Sequence, residues 1–321
     1  MHTYSDLQEK TLRNSGAARL NGIRKILLIG FSCFFLCLHA SVAQSPLLQK
    51  ALAEQSIADS LAGQAEFKEA IRHSKKGINL LQKLQPVPYP ELVKAHRMIG
   101  YYYRRLGDYQ QSGIFQKKAV ELAEKGLPEN HSERMRAYNA MGIFLLGTGD
   151  YQGAKQYFQL ALTISRKHFP DQAAQHLNNL GIANERLGLY EEAFVNYTES
   201  LGFNKEEFGL YSIQTTNNFF NLGTLAYNTG KVNEAISYFD STLMVYDSIL
   251  PENDEEFAGL YNNIGTTYHR KGDLRKALDY LYKAQAMMET NYGTNHPEVA
   301  HTYTNIGLLH FERGDLGQAL S

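Results

Sequence analysis

A chain of 321 residues with 32 basic and 33 acidic side chains has a formal net charge of −1 and a pI near 6.8. That balance gives no whole-chain electrostatic reason to expect nucleic acid as a partner. Tyrosine is plentiful at 21, tryptophan is absent and only eight prolines occur, a mix that suits aromatic-packed helices and excludes a disordered chain. Both cysteines, Cys33 and Cys37, fall in one N-terminal apolar segment, so the remainder can form neither a disulfide nor a thiolate metal site.

Residues 1–43 read as an N-terminal extension carrying an export signal. Arg24 and Lys25 precede a thirteen-residue apolar run from Ile26 to Leu38, and Ser41-Val42-Ala43 then offers small residues to a signal peptidase. The run is short for a spanning helix, which needs about 20 apolar residues. The long stretch before it keeps a second reading open, an uncleaved inner-membrane anchor over 26–38. Export, with the periplasm as destination, is the expectation. Cleavage after Ala43 would leave 27 basic and 31 acidic residues, a net charge of −4.

From residue 44 to 321 the chain repeats itself about seven times. Glycines stand at Gly100, Gly142, Gly181, Gly223, Gly265 and Gly307, 39 or 42 residues apart, and each is followed by another seven residues on, from Gly107 to Gly314. Ser112, Ala154, Ala193, Ala235, Ala277 and Ala319 follow the first glycines by twelve. One step back, Ala58, Ala65 and Ala70 mark a degenerate first unit, while the seventh unit breaks off at Ser321. Each unit predicts two helices. In Ala258 to Lys271, Tyr261, Ile264, Gly265 and Tyr268 share one helical face. Gly272 suits the left-handed end of that helix, and Asp273 suits the N-cap of the next. A glycine inside a helix costs about 0.8–1 kcal/mol against alanine. Its recurrence at one register predicts close contact between the two helices of a hairpin, with the small residue twelve positions on as its opposite number. A phosphate cradle is excluded, because such glycines sit at helix N-termini.

The sequence Tyr138, Met141-Gly142, Gly149-Asp150-Tyr151, Ala154, Phe158 and Ala161 resembles the tetratricopeptide repeat. The 42-residue period, and junctions such as Gly293 to Ala300 followed by Tyr303, Asn305 and Gly307, resemble the kinesin-light-chain type of that family. The resemblance covers 46–321 and implies an all-α fold, an α-α superhelix of antiparallel hairpins. Gln116 departs from it where an aromatic is expected, as do Asn184 and Ala226 where helix A has a tyrosine. Eight residues beyond the usual 34 are expected to lengthen the second helix of each unit.

No enzyme signature occurs, and no cofactor or metal site is expected. His296 and His301 are five apart and do not share a helical face, and His131 and His296 read as loop residues before a helix. Taking the first glycine of a unit as position 8, positions 2, 5, 6, 9, 12 and 13 share an arc of about 120° opposite the packing side. The resemblance implies that this face grips extended peptides. Position 6 is Asn179, Asn221, Asn263 and Asn305, and position 5 is Asn139, Asn178 and Asn262. An amide both donates and accepts, so these side chains can bind a peptide backbone or tie neighbouring first helices together. Arg97, Arg104 and Arg136 make the N-terminal half of the face basic, which would favour an acidic segment or a free carboxylate. The expected function is a protein- or peptide-binding scaffold. The alternative is the sensing region of a longer signalling or peptidase protein, which the incomplete last unit suggests.

Overall fold

The computed structural model describes residues 45–252, 254–294 and 297–319. The export signal, the alternative anchor over 26–38 and His296 lie outside the described residues. Within them no strand occurs, and two compact units divide between Leu127 and Pro128. In the first unit, α1 (Pro46–Gly63) pairs with α2 (Phe67–Leu81) and α3 (Tyr89–Arg105) with α4 (Tyr109–Gly126). In the second, α5 (Ser132–Thr148) pairs with α6 (Tyr151–His168) and, after a 3-10 turn, α7 (Ala173–Arg186) with α8 (Tyr190–Phe208). There follow α9 (Ile213–Asn228) with α10 (Val232–Ile249), α11 (Glu256–Lys271) with α12 (Leu274–Tyr292), and α13 (Pro297–Arg313) with the short α14 (Leu316–Ala319). Within each unit the second helix of a hairpin packs on the first helix of the next, so each hairpin buries its apolar face against a neighbour.

The junctions follow their chemistry. Gly272 ends α11 at φ +85°, and the other five glycines at this register are also left-handed. The caps follow at once: Asp108, Asp150 and Asp273 accept from the backbone N–H groups of Gln111, Gly153 and Lys276 at 2.9, 2.9 and 3.1 Å. His131 caps α5, its Nδ1 accepting from the Glu133 N–H at 3.0 Å. In the degenerate first hairpin Ala65 adopts the left-handed conformation at φ +60°.

Two expectations need correction. The second helices of the later hairpins run to 18 or 19 residues, but the first helices reach 14 to 17, so the extra length of the unit is not confined to the second helix. The mid-helix glycine does make a close contact, but chiefly with the residue sixteen positions on. A Cβ on Gly142, Gly181 or Gly223 would stand 2.5, 2.5 or 2.6 Å from the rings of Phe158, Tyr197 and Phe239. The small residue at twelve brings the helices together, as where the Ser112 hydroxyl donates to the Gly100 carbonyl at 2.7 Å. The large residue one turn later fills the notch above the glycine. In the first hairpin the sizes are exchanged: Ala58 has Ser74 at that offset, and both are fully buried.

One buried histidine sets a pH dependence. His176 of α7 is 2% exposed, and its Nδ1 lies 3.0 Å from the Ser165 hydroxyl, which itself donates to the Leu162 carbonyl. The histidine is therefore the donor, in its neutral form. Burial lowers its pKa from 6.5 to about 4. The unfolded chain takes up this proton first as pH falls. The stabilisation is therefore complete above about 6.5 and is lost progressively down to about 4, roughly 3 kcal/mol in all. Urea midpoints measured from about pH 7 to about pH 4.5 should fall more steeply for the wild type than for His176→Gln. Parallel curves would remove His176 as the cause.

Candidate protein-interaction face

The asparagines at positions 5 and 6 meet across successive first helices. The Asn179 amide donates to Asn139 Oδ1 at 2.9 Å, Asn221 to Asn178 Oδ1 at 2.8 Å, and Asn305 to Asn262 Oδ1 at 3.2 Å. Each bond joins residues 40 or 43 apart in sequence, and all six side chains are half-buried. Asn263 shows why two registers are needed. The preceding unit has Phe220 at position 5, and there the ladder is interrupted. Lower on the face, Asn228 donates to Glu185 at 2.8 Å, His269 lies 2.9 Å from Glu312, and the Arg270 guanidinium covers the Tyr227 ring at 4.0 Å. Part of the polar face thus holds hairpin to hairpin.

The basic residues are placed differently. Arg97 and Arg104 belong to α3 in the first unit, where the Arg104 guanidinium lies 5.5 Å from the Tyr101 ring centroid. Arg136 belongs to α5 in the second unit, and Glu133 pairs with it at 2.7 Å, which offsets its charge.

Between α7, α8 and α9 the face opens into a cleft of about 310 Å³ lined mostly by amides: Gln172, Gln175, Asn178, Asn204, Gln214, Asn217 and Asn218, with Asp171 and Phe208. Gln175, Gln214 and Asn217 are exposed, whereas Asn204 and Asn218 form the buried floor. On that floor the Asn204 amide donates to Asn218 Oδ1 at 2.7 Å, and the Asn218 amide donates to the Ser200 hydroxyl at 2.9 Å and towards Asn178 Oδ1 at 3.4 Å. Ser200 passes its own proton to the Ala174 carbonyl at 2.8 Å. The ladder and the cleft share Asn178, so the amides that line the cleft are held from below. Exposed amides on a rigid polar floor can pair with successive N–H and C=O groups of an extended chain while demanding no charge from it.

Of the cleft amides, the repeated-asparagine registers mark only Asn178. A signal did exist for Asn218. It occupies position 3, a core register held elsewhere by Ala95, Ala137 and Leu260 and by the buried His176 and Thr302, and a polar residue in a core register requires partners. Among the described residues, no cluster of three or more His, Cys, Asp or Glu could hold a metal, and no helix is long and apolar enough to cross a membrane.

The tetratricopeptide repeat family model matches residues 91–167 and 256–321. No curated protein matches the chain. Among solved structures, BtubC (BKLC) of P. vanneervenii is similar with a TM-score of 0.57 and 19% identity, over 79% of this chain and 95% of that one. A Podosopora anserina kinesin-light-chain protein with nearly identical TPR-like repeats is similar with a TM-score of 0.55 and 14% identity, over 63% of this chain and 98% of that one. The signal-transduction ATPase with a tetratricopeptide repeat sensor from Pyrococcus horikoshii reaches 0.67 at 18% identity, over 84% of this chain and 41% of that longer one. At such identities the likeness speaks for the fold alone. Glycine-capped hairpins, their stacking within each unit and the matched repeats lead to one conclusion: the chain carries tetratricopeptide repeats, in an all-α fold of antiparallel hairpins like those of the solved tetratricopeptide and kinesin-light-chain-like structures.

Proposed function

We propose that this tetratricopeptide scaffold binds an extended peptide segment of a partner protein in the amide-lined cleft of α7–α9, and that it acts outside the cytoplasm. The cleft carries the first part: exposed Gln175, Gln214 and Asn217 surround Asn178 above a floor whose hydrogen bonds are already made. The apolar run at 26–38, with Arg24-Lys25 before it and Ser41-Val42-Ala43 after it, supports the second. Arg97 and Arg104 in the first unit would by themselves attract an acidic segment of a partner.

Titration of the full chain with a binding peptide selected on an array tests this reading. Gln175→Ala and Asn217→Ala each remove an exposed hydrogen-bonding group worth about 0.5–1.5 kcal/mol, so affinity should fall about two- to tenfold with the melting temperature unchanged. The loss caused by Arg97→Ala with Arg104→Ala should instead shrink with added salt, as the Debye length drops from about 10 Å at 0.1 M to about 3 Å at 1 M. Full affinity in both amide variants would move the peptide away from this cleft. A reporter active only after export, fused to residues 1–50, should be active. A silent reporter would refute the location.

A further inference from the structure

A second cleft, of about 500 Å³, lies where the repeat has lost a ring. In the α11–α12 hairpin Tyr268 stacks on Tyr280, with ring centroids 5.8 Å apart and planes within 4°. In the α3–α4 hairpin Tyr103 stacks on Phe115 at the same two registers. The α9–α10 hairpin keeps the second member as Tyr238 but has Ala226 in place of the first. The space opened there is bounded by Phe194 and Val195 of α8, Leu222 and Leu225 of α9, and Tyr238. Phe194 and Val195 are 42% and 60% exposed, so the apolar wall faces solvent. The charge at this place is also reversed. Lys276, whose amine lies 4.9 Å from the Tyr268 ring, corresponds to Glu234 here. Glu234 and Glu191 line the cleft against a single base, Lys231, which reaches Glu234 at only 3.8 Å.

We infer that the α8–α10 cleft is a docking site for an aromatic side chain of a partner protein, flanked in the partner by a basic residue. Tyr238 offers the ring face that Tyr280 gives to Tyr268. Phe194, Leu222 and Leu225 supply the apolar walls, and the two carboxylates complement the flanking cation. The site is distinct from the amide cleft, and its occupant differs: a buried ring beside a positive charge in place of an extended backbone.

The chain has no tryptophan, so a tryptophan-containing probe reports alone. The probe is acetyl-Lys-Trp-Lys-amide, titrated into the full chain and followed by its fluorescence. A saturable blue shift is expected, with acetyl-Glu-Trp-Glu-amide binding about tenfold more weakly. Ala226→Tyr restores the ring in cis and should weaken the lysine-flanked probe about tenfold, while Gln175→Ala leaves it unchanged. Should Ala226→Tyr fail to fold, Phe194→Ser and Val195→Lys change only exposed wall residues and should each weaken the probe about fivefold. Absence of saturation, equal binding of the two probes, or wild-type affinity in the folded variants would each overturn the inference. Dimerisation of the wild type that Ala226→Tyr abolishes would also overturn it, by making a second copy the occupant.

Discussion

Gly181→Leu should cost more than about 3 kcal/mol and loosen the hairpin of α7 and α8, while Gly202→Ala, at a glycine inside α8 with open space beside it, should stabilise by about 0.5–1 kcal/mol. At Gly181 even a Cβ would come within 2.5 Å of the Tyr197 ring. That ring is 1% exposed, and its hydroxyl is held by Glu185 at 2.9 Å, so it has little room to retreat. Alanine there gains about 0.8–1 kcal/mol of helix propensity against about 1–3 kcal/mol of overpacking, so Gly181→Ala should be net destabilising by about 0.5–2 kcal/mol. At Gly202 a new Cβ would meet nothing within 4 Å, so only the propensity gain remains. A Tyr197→Ser background should erase the penalty of Gly181→Ala, because it recreates the Ala58–Ser74 pairing of the first hairpin. Urea midpoints of the four variants check this. Equal effects of alanine at 181 and 202 would remove the notch as the reason for the repeated glycine.

Asn218→Ala should destabilise by roughly 2–4 kcal/mol, well beyond Asn179→Ala or Asn221→Ala at about 0.5–1 kcal/mol each. Asn218 is 1% exposed and stands between Asn204 and Ser200, accepting from one and donating to the other. Its removal forfeits these bonds and leaves the buried Asn204 amide with only the Gln214 carbonyl at 3.3 Å. An unsatisfied buried group costs about 1–3 kcal/mol, whereas apolar replacement of both partners can be nearly neutral. The double variant Asn204→Leu with Asn218→Leu should therefore be less destabilised than Asn218→Leu alone, a sign that denaturant titration reads directly. A double variant worse than the single would make the floor a matter of shape and not of hydrogen bonding. The ladder asparagines are half-buried, so water can replace a partner there, which is why their expected losses are small.

Much of the fold was legible because its rules are local. The left-handed glycines, the aspartate caps and the apolar face of Tyr261, Ile264, Gly265 and Tyr268 all express geometry within a turn or two of one helix, and a 42-residue period repeats that geometry openly. The side on which Gln175, Asn178 and Asn217 lie was legible for the same reason, since they hold positions 2 and 5. Only the tertiary structure decided what each face meets. Spacing alone pointed to Ala193 above Gly181, yet the stagger of the two helices brings Tyr197 over it one turn later. Composition alone left the asparagines free to bind a peptide or one another, and the offset between stacked helices joins position 6 to position 5 of the preceding unit. Phe220 breaks that ladder, Asn218 turns a core register into the floor of a cleft, and Ala226 opens a place that Tyr268 fills in its own hairpin. Each of these is a single residue whose effect depends on residues 12 to 43 positions away, as Ala226 does on Tyr238 and Phe220 on Asn263. Helical periodicity sets the face a side chain occupies, but the distance between packed helices sets what it touches.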